Sequence, residues 1–134
     1  MDILSRDSES SLSIHFVELD STFYPSICLS VRVHDNGFSG ENKSIWVARD
    51  DVTKFIMECE QNLDSIEASL VSMSSNEFCL TLQKVNRKGH LLLKYALSRT
   101  IYRDNFPMDL TTTGGFKIDF SEVEKMIRFF RTYC

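Results

Sequence analysis

Residues 27–48 read Ile-Cys-Leu-Ser-Val-Arg-Val-His-Asp-Asn-Gly-Phe-Ser-Gly-Glu-Asn-Lys-Ser-Ile-Trp-Val-Ala, and this stretch decides the fold. Ile27, Leu29, Val31 and Val33 alternate with Cys28, Ser30, Arg32 and His34, the period-two pattern of a strand with one buried face. Asn36-Gly37 follows at once. Both residues tolerate positive φ, so the chain is expected to turn there in a tight hairpin. The return strand spans Phe38 to Ala48, with Gly40 as the candidate site of a bulge. Upstream, Leu12, Ile14 and Phe16 alternate with Ser13 and His15 and predict a further strand.

Downstream the period changes. Val52, Phe55, Ile56, Cys59 and Leu63 follow the i, i+3, i+4, i+7, i+11 spacing of an amphipathic helix, with Lys54, Glu58 and Gln61 on the opposite face. Asp50 or Asp51 suits its N-terminus, where the dipole favours negative charge. Strand patterns return over Ala68–Met73, Phe78–Val85 and Gly89–Ile101, linked by Ser74-Ser75-Asn76 and Asn86-Arg87-Lys88-Gly89. Arg103–Gly115 is the least regular segment and reads as a loop, with Pro107 and Gly114-Gly115 as breakers. Phe116, Ile118 and Phe120 make a short strand, and Ser121-Glu122-Val123-Glu124 has the form of a capping box. Val123, Met126, Ile127, Phe130 and Tyr133 then form the apolar stripe of a terminal helix. The order β-β-β-α-β-β-β-β-α predicts an α+β fold, a mainly antiparallel sheet with helices at 50–63 and 121–133 packed on it.

At 134 residues the chain fits one domain with a real hydrophobic core, the first eleven residues being candidates for disorder. Its start lacks the basic and apolar runs of a signal peptide, and no stretch approaches membrane-spanning length, so a cytoplasmic location is expected. Cys28, Cys59, Cys79 and Cys134 are widely spaced without a C-x-x-C pair, the usage of reduced thiols; a secreted two-disulfide domain is the alternative. The net charge of −4 is unevenly spread: residues 1–67 carry five basic and thirteen acidic side chains, residues 68–134 ten and six. An acidic half disfavours nucleic acid as a partner and favours a basic protein, although charges of this kind also serve simply to coat solvated faces.

Catalytic signatures are not found. His15, His34 and His90 lack metal-ligand spacing and read as surface imidazoles. Nucleotide-binding and nucleophile-elbow motifs do not occur, and Thr111-Thr112-Thr113-Gly114-Gly115 precedes a strand instead of the helix N-terminus that phosphate binding uses. The cysteines read as buried, inert thiols. Asp50-Asp51 and Glu58 with Glu60 are explained by helix capping and a solvated face. Lys84, Arg87 and Lys88 form a basic turn without interleaved aromatics, a weak nucleic-acid signal. Trp46 and Tyr102 are candidate interface anchors. Trp46 shares a face with Ser44 and Ala48, Ile45 shares the other with Val47, and one of these faces is core. No enzyme, cofactor or metal site is therefore expected.

From Gly37 onward the arrangement resembles the WapI-like family of small bacterial immunity proteins. The resemblance lies in Phe38-Ser39-Gly40, Trp46, a helix opened by Asp50-Asp51-Val52 with Phe55 and Leu63, several strands, and Phe116-Lys117-Ile118-Asp119-Phe120 before a terminal helix. It covers about three quarters of the chain. It implies tight binding to a cognate toxin domain, often a nuclease, whose active site or substrate path is blocked. It carries over no catalytic residues, and it leaves Arg103–Gly115 without a counterpart. An acidic inhibitor is steered to a basic nuclease electrostatically, which makes Asp35, Glu41, Trp46, Asp50, Asp51, Glu58 and Glu60 the candidate partner-binding set. The competing expectations are a ligand-binding site assembled from distant residues and a structural or assembly subunit, as monomer or homodimer.

Overall fold

A computed structural model describes residues 1–22, 24–61, 67–74, 76–84 and 90–134. The fold is α+β and is built as two antiparallel four-stranded meanders, each followed by a helix. The first sheet comprises β1 (Asp2–Leu4), β2 (Ser10–Asp20), β3 (Ser26–Asp35) and β4 (Phe38–Ala48), and leads into α1 (Arg49–Gln61). The second comprises β5 (Glu67–Val71), β6 (Phe78–Lys84), β7 (Leu91–Arg103) and β8 (Phe106–Ile118), and leads into α2 (Phe120–Tyr133). In each sheet, spatial order equals chain order.

The alternation in the sequence sets which face is buried. Leu12, Ile14, Leu29, Val31, Ile45 and Val47 of the first sheet are fully buried, as are Leu70, Leu80, Leu82 and Leu93 of the second. They share one hydrophobic core with Val52, Phe55 and Cys59 of α1 and Val123, Met126 and Phe130 of α2. Phe55 and Phe130 meet edge to face, with centroids 5.9 Å apart, and this contact joins the two helices.

Two bulges adjust the first sheet. On β4, Lys43 and Ser44 stand against Ser30 alone, so Asn42 and Gly40 turn toward the core side. The bulge expected at Gly40 is therefore three residues further on. Gly40 pairs regularly with Val33, and its glycine is needed for another reason: a Cβ there would lie 2.5 Å from Thr112 Oγ1. On β2, Val17 is the extra residue between Phe16 and Glu18.

Several further expectations are corrected. Residues 1–11 hold a strand: β1 pairs with β2, Ile3 is fully buried, and the Met1 ammonium donates to the Ile14 carbonyl at 3.0 Å. Arg103–Gly115 is not a loop: it holds the last residue of β7, a two-residue turn and most of β8, which pairs with β7 in unbroken register. Asp104 and Asn105, with φ of 51° and 67°, form the two-residue turn between these strands. Pro107 does not break β8, because it is an edge strand. The carbonyl of Lys117 points outward to the Arg6 N–H, so residues an even number away, Pro107 included, direct their N–H positions away from β7. The capping box does not form either. Asp119 is the N-cap, without a side-chain cap bond, because its carboxylate pairs with Arg6 at 2.9 Å; Ser121 lies inside the helix. Leu63, Val85, and the Asn86–Gly89 turn with Arg87 and Lys88 lie outside the described residues.

The sheets are also joined by polar contacts. Tyr95 Oη donates across to Asp35 at 2.6 Å, and Asn42 Nδ2 donates across to the Ser98 carbonyl at 2.8 Å; within the first sheet, Ser10 Oγ donates to the Asp35 carboxylate at 2.7 Å and holds it in place. Gly114 leaves room for this seam, since a Cβ there would sit 2.6 Å from Tyr95 Oη and 2.8 Å from Asp35 Oδ2. β6 pairs with β7 only as far as Leu97, so the remainder of β7 and its partners in β8 form a two-stranded arm.

Burial, followed by the hydrogen bond and charge of Asp35, holds the Tyr95 phenol well above the ordinary range. A raised folded-state pKa gives stability that is complete below the unfolded phenol's value of about 10 and is lost as pH rises through the folded value. Tyr95→Phe is expected to cost about 1–3 kcal/mol at pH 7, the penalty for an under-satisfied buried partner. That difference should shrink above pH 10. Gly114→Ala should be destabilising by a similar amount, and by less in the Tyr95→Phe background, because the clashing hydroxyl is then gone. Urea unfolding of the four proteins at two pH values measures all three effects.

Candidate protein-interaction face

The strand geometry places Trp46 on the outer face of the first sheet. Ile45 and Val47 point inward, so Trp46 faces outward opposite Cys28, and it is half-buried. Cys28 in turn stands opposite Glu18. The Val17 bulge is what puts Glu18 there: in an unbroken register Val17 would face Cys28 and the carboxylate would turn toward the core side. Glu18, Cys28 and Trp46 therefore form a cross-strand row. Glu77, from the turn before β6, approaches the same row. Burial raises the Cys28 thiol pKa, and the charges of Glu18 and Glu77 raise it further. The Trp46 carbonyl accepts from the Met73 N–H at 2.8 Å, which fixes the β4 edge against the second half of the chain.

Two residues beyond Ala48, α1 presents Asp50 and Asp51 in its first turn, both exposed. No ion pair neutralises either among the described residues. The helix N-terminus stabilises their negative charge. The result is a half-exposed aromatic side chain in one cross-strand row with Glu18, followed in the chain by the exposed Asp50 and Asp51, the composition of an anchor for a basic partner.

The expected partner-binding residues do not form one site. Trp46, Asp50 and Asp51 lie at the α1 end of β4. Glu41 lies near the other end, five residues before Trp46 or roughly 17 Å along the strand. Its carboxylate is held by Arg32 at 2.7 Å and Lys43 at 3.6 Å, and the Arg32 hydrogen bond leads the causes that lower its pKa. Asp35 is spent on the seam between the sheets. Glu60 pairs with Arg131 and ties α1 to α2. Glu58 is half-buried, with Oε1 out of contact with solvent and without a hydrogen-bond partner among the described residues. It borders a groove of about 470 Å³ with Glu67, Thr81, Gln83 and Lys94. Sequence reasoning missed Glu18 and Glu77. Only the bulge and the packing of the two halves bring them to Trp46, and neither is written in local spacing.

Other candidate chemistry is dispersed. His15 and His34 are exposed on the outer face, and His90 Nδ1 lies 3.1 Å from Arg6 Nη1. Among the described residues no three metal-ligating side chains come together. Tyr102 is 75% exposed at the far end of the arm, away from the core. No helix is long and apolar enough to cross a membrane among the described residues. No family model matches the chain, and no curated protein or solved structure matches it.

All four cysteines are free. Cys59 is fully buried, and burial pushes its thiol up to about 12, with Glu58 and Glu60 adding to the shift. Cys28 is also buried and raised. The thiolate is the reactive species. Cys134 is exposed although burial of its thiol raises its pKa against the opposing charge of Arg49. At pH 8, a thiol reagent is therefore expected to reach Cys134 and Cys79 in the native protein by access, with Cys134 slowed by its raised pKa, and to spare Cys28 and Cys59 until denaturant is added. Peptide mapping after timed labelling checks this order; labelling of Cys59 in the folded protein would contradict its burial.

Proposed function

We propose that this chain is an immunity protein that binds and neutralises a cognate toxin domain, with Trp46 and the carboxylates around it as the docking face. The observation that carries the reading is the row Glu18–Cys28–Trp46 on the outer face of the first sheet, with Asp50 and Asp51, unpaired among the described residues, in the helix turn that follows β4. A nuclease domain is basic where it holds phosphate, and such a surface is complementary to this face. Long-range attraction would then speed encounter, while burial of Trp46 would hold the complex. Inhibition requires only that the occupied surface overlap the toxin's substrate path. The resemblance to WapI-like immunity proteins points the same way, and the class of toxin comes from that resemblance alone.

The test is rescue. The C-terminal domain of the protein encoded immediately upstream is expressed in a test bacterium with and without this chain, and the complex is isolated. Toxicity relieved by this chain, with a stable complex, is the expected result. Trp46→Ala should weaken the complex by about 2 kcal/mol, roughly thirtyfold in Kd. Glu18→Lys with Asp51→Lys should slow association and flatten its salt dependence. Trp46 is the chain's one tryptophan, so its fluorescence reports its own burial on binding. A toxic domain that this chain neither binds nor neutralises, or binding unmoved by all three substitutions, would overturn the reading.

A further inference from the structure

The β7–β8 arm is not explained by the face around Trp46. Residues paired across an antiparallel ladder share a face, so the core face of the second sheet continues outward through Leu97 with Thr112, Arg99 with Leu110, Ile101 with Met108 and Arg103 with Phe106. Nothing covers its last part: Leu110 is 41% exposed, Met108 48% and Phe106 69%. The outer edge of β8 is open as well. Among the described residues, its outward residues Asp109, Thr111, Thr113 and Gly115 make no backbone hydrogen bond beyond the sheet, while Arg6 closes the edge at Lys117 and Pro107 ends it at the other side. The thirteen-residue pairing of β8 with β7 contains no bulge, and between Pro107 and Lys117 the only charge is Asp109. The usual protections of an edge strand are therefore sparse along its middle.

We propose that two copies of this chain pair through β8, antiparallel about a twofold axis at Leu110, so that each arm lies along the other copy's edge. Three features argue for a second copy as the occupant. In this register Leu110 faces Leu110, and Asp109 and Thr111 exchange main-chain hydrogen bonds. Thr113 donates to the Pro107 carbonyl, which needs no N–H in return from the proline. Second, Phe106 falls opposite Gly114, which has no side chain to oppose it; Tyr95 Oη and Asp35 Oδ2 fill the space over this glycine, so the exposed ring would pack against the rim of that seam. Third, the charges are complementary. Beside the β8 edge is a groove of about 380 Å³ whose charged lining residues are Asp7, Glu9 and Asp35 against Arg6 and Lys117; Arg6 is itself paired with Asp119, so the groove is acidic on balance. Arg103, which shares a face with Phe106, arrives at the groove of the second copy, where Asp7 and Glu9 are both exposed. The twofold axis makes every contact occur twice, and the register stops before Arg6, which covers the edge at Lys117.

The experiment is sedimentation velocity and light scattering on the full chain from 1 to 200 µM. The expected result is a concentration-dependent species of twice the 15.5 kDa chain mass. Leu110→Lys and Arg103→Glu should each raise the dimer dissociation constant at least tenfold while leaving the circular dichroism spectrum unchanged. Glu9→Arg in the Arg103→Glu background should restore part of the loss. Leu110→Cys should form a disulfide-linked dimer under mild oxidation, since directly opposed, non-hydrogen-bonded residues on antiparallel strands approach closely enough. A chain that stays monomeric at 200 µM overturns the proposal and leaves the edge to a strand of a different protein. A dimer that survives both charge substitutions and is not cross-linked through Leu110→Cys overturns it equally. Toxin binding through Trp46 is read separately, so either proposal can fail without the other.

Discussion

Neither sheet can bury its apolar face alone, so the contact between the two is the constraint on which the rest of the structure depends. Apolar packing would tolerate many relative placements of two Leu-, Ile- and Val-rich faces. The polar seam does not. Tyr95 reaches Asp35, Ser10 completes that carboxylate, and Asn42 reaches the Ser98 carbonyl. Shifting one sheet by a residue would leave these groups under-satisfied, at about 1–3 kcal/mol each. The glycines follow from the seam: Gly114 admits the Tyr95–Asp35 bond, and Gly40 admits Thr112. Burial supplies most of the driving force, and the hydrogen bonds select one arrangement.

The same constraint shapes the outer surface. With Val31 and Val33 fixed inward, β4 needs its bulge at Lys43 and Ser44 to bring Asn42 to the seam while keeping Ile45 and Val47 in the core. This parity turns Trp46 outward. The Val17 bulge acts likewise on β2, delivering Glu18 to the outside and Leu19 opposite Ile27. The acidic aromatic row is thus a consequence of how the strands are kept in phase with the core. A residue's chemical type says what it can do at a surface; the bulge decides whether it is there.

This explains what could be read from the chain and what could not. The hairpin from Ile27 to Ala48 and both helices depend on local periodicity and turn chemistry, and they appear where the pattern places them. β1 is too short to carry a pattern. β8 did carry one, Phe106, Met108, Leu110 and Thr112 alternating with Pro107, Asp109 and Thr111, but Pro107 and the glycine pair read as breakers. Both are tolerated for tertiary reasons, the proline by its outward edge position and Gly114 by the Tyr95 hydroxyl beneath it. The capping box failed because the N-cap is Asp119, two residues before Ser121, and its carboxylate is held by Arg6, more than a hundred residues away in the chain. In the candidate site, Trp46, Asp50 and Asp51 were legible from type and position. Glu18 and Glu77 were not, and Asp35, Glu41 and Glu60 looked available only because their partners are invisible in one dimension.

The arm is the part of the molecule least accounted for by its own fold. A two-stranded ribbon is marginal in water without a third strand or a covering layer. Beyond Leu97, β6 no longer supports β7, and the first sheet no longer covers the apolar side. The ribbon is held by its two-residue turn, its own ladder, and side-chain pairs such as Thr100 with Asp109 at 2.8 Å and Ser98 with Thr111 at 3.0 Å. Exposing Phe106, Met108 and Leu110 stabilises nothing within the chain, and truncating the hairpin near Ser98 and Thr111 would leave core and seam intact. An extension that adds apolar surface without adding core is explained most economically by contacts made outside the chain. The ribbon also keeps one long edge open and ends it at Pro107, which favours recognition by strand addition over docking on the apolar face alone. By this argument the compact half of the molecule specifies its own structure, and the arm is the part that the proposed pairing through β8 would complete.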